Sequence, residues 1–127
     1  FDVGNVLFDD APQDFAAMKY FHQAITQEHP SYSFEQMIDE REVLGRRGEK
    51  LILGQIASRY LAAEQVAKVY RKARQELAAR YDEVNLLLPS APSVVQSLAR
   101  KYRLGILANQ PAECRASLAR RGLLDFF

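Results

Sequence analysis

Phe1-Asp2-Val3-Gly4-Asn5-Val6-Leu7-Phe8 opens the chain, and the reading of this octapeptide decides the fold. Its apolar, β-favouring residues suit pleated backbone, while Gly4 and Asn5 are residue types that tolerate turns. Together they predict a strand running into a tight turn, with Asp2 near the strand's end.

Beyond the octapeptide the apolar spacing changes from two to three and four. Phe15, Met18, His22 and Ile25 fall on one helical face, and His29-Pro30 ends that helix. Ser33 followed by Gln36 has the form of a capping box, and Phe34, Met37, Ile38 and Leu44 form the stripe of a second helix closed by Gly45 and Gly48. Ile52, Ile56 and Tyr60 mark a third helix, and Val66, Tyr70, Ala73, Leu77 and Tyr81 a longer fourth. After Leu86-Leu87-Leu88-Pro89, Ser90 or Ser93 caps a helix through Lys101. Arg103 to Ala108 then reads as a buried strand ending at Asn109, and Pro111 starts a last helix that Gly122 stops.

Strand, helical block, helix, strand, helix is the order of a βαβ unit with an insertion in its crossover. The expected fold class is therefore α/β: a partial three-layer, Rossmann-like core from residues 1–11 and 86–127, with a four-helix cap inserted at residues 12–85. The apolar entry at Phe1 and the apolar stop at Leu123-Leu124-Asp125-Phe126-Phe127 are expected to lie within a longer polypeptide.

Of the 127 residues 48% are hydrophobic and 26% charged, a balance that excludes disordered and membrane-spanning classes. A formal net charge of +1 supplies no excess field for nucleic acid or an acidic membrane, and charge alone names no partner. Cys114 stands alone and forms no internal disulfide, which favours the cytoplasm.

In open α/β sheets ligands bind beyond the carboxyl ends of the strands, where both Asp2 and Asn109 are expected. An aspartate so placed acts as a nucleophile toward phosphorus, giving an acyl-phosphate that water hydrolyses. A divalent cation with hard oxygen ligands would offset the phosphate charge.

These residues resemble the haloacid dehalogenase-like hydrolases. Phe1-Asp2-Val3-Gly4-Asn5-Val6-Leu7 is similar to that family's first motif, an apolar strand and a nucleophilic Asp before a turn ending in Thr or Val. Arg47-Gly48-Glu49 resembles a turn in its four-helix cap, and Leu88-Pro89 through Arg103-Leu104-Gly105-Ile106-Leu107-Ala108-Asn109 the helix and strand leading to its second motif. The resemblance implies a Mg²⁺-dependent phosphatase acting on a small phosphate ester through an aspartyl-phosphate. On that reading Asp2 is nucleophile and metal ligand, the Gly4 carbonyl is a second ligand, and Ala108 and Asn109 bind the phosphate through backbone or side chain.

The chain departs from the family pattern at two places. Gly4 stands where most of the family's phosphatases carry a second Asp, the general acid, and Ala108 stands where a Ser or Thr hydroxyl holds the phosphate. A 2-haloacid dehalogenase-type hydrolase, whose halide leaves unprotonated, is one alternative; a catalytically degenerate binding protein is the other. The third and fourth motifs, a Lys and an acidic pair, are expected beyond Phe127, so this stretch alone is expected to be inactive.

Asp9 and Asp10 read as a cap or solvated turn, or as a substitute acid. His22 and His29 lack metal-ligand spacing, Arg71, Lys72 and Arg74 read as a solvated face, and Tyr60, Tyr70 and Tyr81 as packing. Cys114, near a helix N-terminus, reads as a passive thiol.

Overall fold

A computed structural model describes residues Phe1–Phe127. It divides into two compact units, one formed by Phe1–Gln13 with Ala78–Phe127 and the other by Asp14–Leu77. The elements in chain order are β1 (Phe8–Asp9), α1 (Ala11–Glu28), α2 (Phe34–Arg46), α3 (Ile52–Ala57), α4 (Ala63–Ala79), α5 (Tyr81–Val84), β2 (Leu86–Leu87), α6 (Ala91–Ala99) and α7 (Ala112–Arg120). A 3₁₀ turn at Leu124–Phe126 follows.

The expected α/β, three-layer Rossmann-like core is not what the chain forms. Seven helices dominate, and the only sheet is two strands of two residues each, paired antiparallel with Phe8 opposite Leu87 and Asp9 opposite Leu86. The octapeptide does not run on as a strand because it curls around one carbonyl: Val3 O accepts the N–H groups of Val6, Leu7 and Phe8 at 3.3, 2.8 and 3.1 Å. Asn5 takes the left-handed conformation, φ 53°, at the apex, which Asn tolerates better than most residues.

The second expected strand fails for a related reason. Residues 104–110 alternate half-buried and exposed, with Leu104, Ile106 and Ala108 against the core and Leu107 89% exposed. A parallel strand needs neighbours and cover on both faces. Here the backbone of the stretch pairs only with the chain start, where Phe1 N donates to Gly105 O at 2.6 Å and Leu107 N–H donates to Phe1 O at 2.9 Å. Two bonds bring the segments together without making a ladder.

Val3, Leu7, Phe8, Val95 and Leu118 are the most buried apolar side chains of this unit. Asp82 fastens α5 to α7, accepting hydrogen bonds from the Ser117 hydroxyl and from Arg120 Nε at 3.0 Å, with Arg121 3.7 Å away. The other unit is helical throughout and packs Phe21, Ile25, Met37 and Ile56 at its centre. Its α2 carries both bonds of the capping box: Gln36 N–H to Ser33 Oγ at 3.1 Å and Ser33 N–H to Gln36 Oε1 at 2.9 Å. Gly54 on α3 is required by space, since a Cβ there would overlap the Tyr70 ring and hydroxyl. No helix is long and apolar enough to cross a membrane.

Two neighbouring tyrosines of the helical unit, Tyr32 buried and Tyr60 half-buried, differ in one bond. Tyr60 donates to Glu40 Oε1 at 2.8 Å, while the Tyr32 ring, tilted by 50° with its centroid 4.6 Å from that of Tyr60, carries a buried hydroxyl that makes no well-formed hydrogen bond although the Glu40 carboxylate is near enough to act on it. Burial, then the Glu40 charge, pushes the Tyr32 phenol well above its ordinary value, so it stays neutral. Tyr60→Phe should cost about 1 kcal/mol in urea unfolding, whereas Tyr32→Phe should be neutral or stabilising, because an unmade buried hydroxyl bond is itself unfavourable.

Stability should also report on Asp82. The Ser117 hydroxyl holds its carboxyl below the ordinary value of 3.8, with burial opposing and Arg120 and Arg121 assisting. A carboxyl depressed in the folded state stabilises above the unfolded value and loses that contribution as pH falls through the folded one. Asp82→Asn should therefore be less stable than the parent at pH 7, with the gap closing as pH drops below about 3.8.

Candidate functional site

The three-donor turn at Val3 carries Asp2 and Gly4 beside the buried Val3 and returns the chain so that Asp10 meets Gly4. Asp2 is exposed, and its Oδ1 accepts Val3 N–H at 2.7 Å, which holds the carboxylate against the backbone and leaves Oδ2 open. Gly4 pairs with Phe8 across the turn, so the chain returns past its own start. The return seats Asp10 on Gly4: a Cβ built on Gly4 would overlap Asp10 Oδ2 and lie 3.3 Å from Asp10 Cγ.

Gln110 closes the group from the other end of the sequence, with Nε2 3.3 Å from that same Cβ position. Its amide is oriented by Tyr81, whose hydroxyl donates to Gln110 Oε1 across 3.5 Å. Burial, followed by the adjacent Cys114 thiol and the charges of Asp10 and Asp82, pushes the Tyr81 hydroxyl well above its ordinary value. Tyr81 therefore remains an O–H donor at neutral pH, and with Oε1 so engaged Gln110 presents its NH₂ toward Gly4 and Asp10.

Of the residues singled out from sequence, Asp2 and Gly4 lie on this turn. Asn109 is exposed and shares no hydrogen bond with Asp2; Ala108 is half-buried and packs on the core. The N-terminus of α7 has no side-chain cap, and Glu113 in its first turn adds negative charge where an anion would approach. A cavity of about 830 Å³ along the 104–110 stretch is lined by Val3, Ile106, Ala108, Gln110, Cys114 and Leu118, with neither Asp2 nor Asp10 on its wall.

Asp9 and Asp10 separate cleanly in role. Asp9 Oδ1 accepts Ala11 N–H at 2.9 Å and so caps the entry to α1, whereas Asp10 turns toward Gly4. His22 and His29 bond the carbonyls of Tyr32 and Tyr60, a packing role. No three His, Cys, Asp or Glu side chains gather around a common point; the oxygen donors at the turn are the Asp2 and Asp10 carboxylates and backbone carbonyls, a hard set of the kind Mg²⁺ takes alongside water and phosphate.

Sequence reasoning missed Gln110 and Tyr81. Nothing in Asn109-Gln110-Pro111 marks the glutamine, and Tyr81 sits at the helical spacing that ordinarily means packing. No protein-family model and no curated protein matches the chain. Replacing the capping Asp9 by Ala should lower unfolding free energy by about 1 kcal/mol in urea unfolding followed by circular dichroism.

Proposed function

We propose that the protein is a haloacid dehalogenase-like hydrolase that cleaves a small phosphate ester through an aspartyl-phosphate on Asp2. The observation that carries this reading is the meeting of two distant segments. The Asp2–Gly4 turn and the 105–110 stretch, about a hundred residues apart, are joined by the two Phe1 bonds and by Gln110 against Gly4. Those are the two stretches that resemble the family's first and second motifs. The support is local and chemical, and it does not rest on a sheet.

In this reading Asp2 Oδ2 attacks phosphorus while Val3 N–H keeps Oδ1 in place. The Gln110 amide, beside Gly4, would donate to the phosphoryl oxygens in place of the hydroxyl that Ala108 lacks. Mg²⁺, held by the Asp2 carboxylate and the Gly4 carbonyl, would offset the phosphate charge. The fit is one of donor chemistry.

The test is hydrolysis of an activated aryl phosphate by the protein in its natural polypeptide, with and without Mg²⁺, beside Asp2→Asn. Asp2 is exposed, so the amide variant should fold. Mg²⁺-dependent turnover that falls by at least about 10³ in the variant is the expected outcome. Turnover retained in Asp2→Asn would reject the reading, and so would no turnover by folded protein; chloride release from a 2-haloacid would then point to the dehalogenase chemistry.

A further inference from the structure

Following each backbone N–H and C=O to its partner singles out one edge of the first unit. Burial alternates along residues 104–108, the mark of extended backbone, and the odd residues spend their groups on Phe1 through Gly105 O and Leu107 N–H. Successive residues of extended backbone turn their polar groups to opposite edges, so those of Leu104, Ile106 and Ala108 face the other way. None of these six groups bonds another atom of the protein. The three side chains pack on the core, whereas Leu107 points outward and is 89% exposed, and nothing lies within 4 Å of the place a Gly105 Cβ would take. A row of unspent donors and acceptors beside apolar side chains is a template for a further strand.

We infer that a second copy of this chain fills that edge, the two 104–108 stretches pairing antiparallel about a two-fold axis at Ile106. This is independent of the phosphatase reading. Centred there, Ile106 exchanges both its bonds with its counterpart and Leu104 does so with Ala108 on either side, so all six groups of each copy are satisfied. An axis at Gly105 or at Leu107 drops Ala108 or Leu104, respectively, from the set. The register also fits by shape: Leu104 meets the smaller Ala108 on the core side, and Leu107 meets the open space at Gly105 on the outer side. Charge favours a copy over a charged partner. The cavity along this edge is lined by one base, Arg115, and one acid, Asp125, neither in an ion pair, and a two-fold partner returns the same two signs. A strongly acidic or basic segment would gain from one and lose from the other. At the ends Arg103 meets the neutral Asn109, so no like charges oppose. So short a strand pair buries less than the about 1,200–2,000 Å² of a stable interface, which makes the dimer weak and concentration-dependent.

Sedimentation equilibrium and amide hydrogen exchange on the 127-residue chain, each over a wide range of concentration, test this. The mass should rise from one chain toward two, with the amides of Leu104, Ile106 and Ala108 becoming protected in step. The Leu107 amide, already bonded to Phe1, should be protected alike at every concentration. Leu107→Asp alters a side chain that the single copy leaves exposed, so it should keep the fold by circular dichroism and weaken association by a factor of about 10 or more. A chain that stays monomeric throughout would overturn the inference. So would a dimer in which those three amides gain no protection, since the contact then lies on another surface, or one that folded Leu107→Asp leaves as tight as before.

Discussion

Three N–H groups converge on one carbonyl oxygen, that of Val3, and the first unit is arranged around the loop they close. Val3 itself is fully buried, so the loop is anchored from the inside. Closing it forces Asn5 to a left-handed conformation, buries Leu7 and Phe8, and sets β1 antiparallel against Leu86–Leu87 within four residues of the turn. It also reverses the chain so that Asp10 comes back to Gly4. A strand through Val3 and Gly4 would spend those N–H groups on a neighbour and carry Asp10 away. The tight turn and the approach of Asp10 to Gly4 are therefore the same structural fact.

Tyr81 is the second fixed point. Its ring meets Phe8 edge-on at 6.0 Å, its carbonyl accepts Asn85 N–H at 2.9 Å and Asn85 Nδ2 at 3.1 Å, and its hydroxyl reaches Gln110. Asn85 in turn donates to Gln13 Oε1 at 2.7 Å. At four residues, α5 is too short to persist on helical propensity, so these contacts and the Asp82 clamp on α7 hold it. One buried aromatic thus links the returning turn, the short helix and the amide that faces Gly4.

Local signals were legible where the physics is local. The Ser33–Gln36 box, the Met18 and Ile25 face, Met37 and Leu44, and the last helix after Pro111 all stand in the structure, because caps and helical periods depend on residues three or four apart. Phe15 and Ile38 share those periods yet are about half exposed, since spacing identifies a face and only tertiary packing decides how much of it is covered. The fourth helix ends at Ala79 and Tyr81 begins a separate one, a break that no Gly or Pro announces. The strands were misread for a stronger reason. A strand exists only through its neighbours, and Phe1–Phe8 and 103–108 have the composition of strands without partners to pair with.

Asp2 and Gly4 were legible as a pair at a turn, but the meaning of the glycine was not. In a sequence a glycine signals either a backbone that needs positive φ or a place where another group comes close, and the letter is the same in both cases. At Gly48 and Gly122 the backbone supplies the reason, since both have positive φ and nothing lies near the position of a Cβ. At Gly4 the backbone makes no such demand and the near group is a carboxylate. Read singly, Gly4 is a lost side chain and Asp10 an ordinary acid before a helix. Read as a coupled pair across a six-residue return, they place a carboxyl function over position 4 from a different point in the chain, which a motif read one position at a time does not detect.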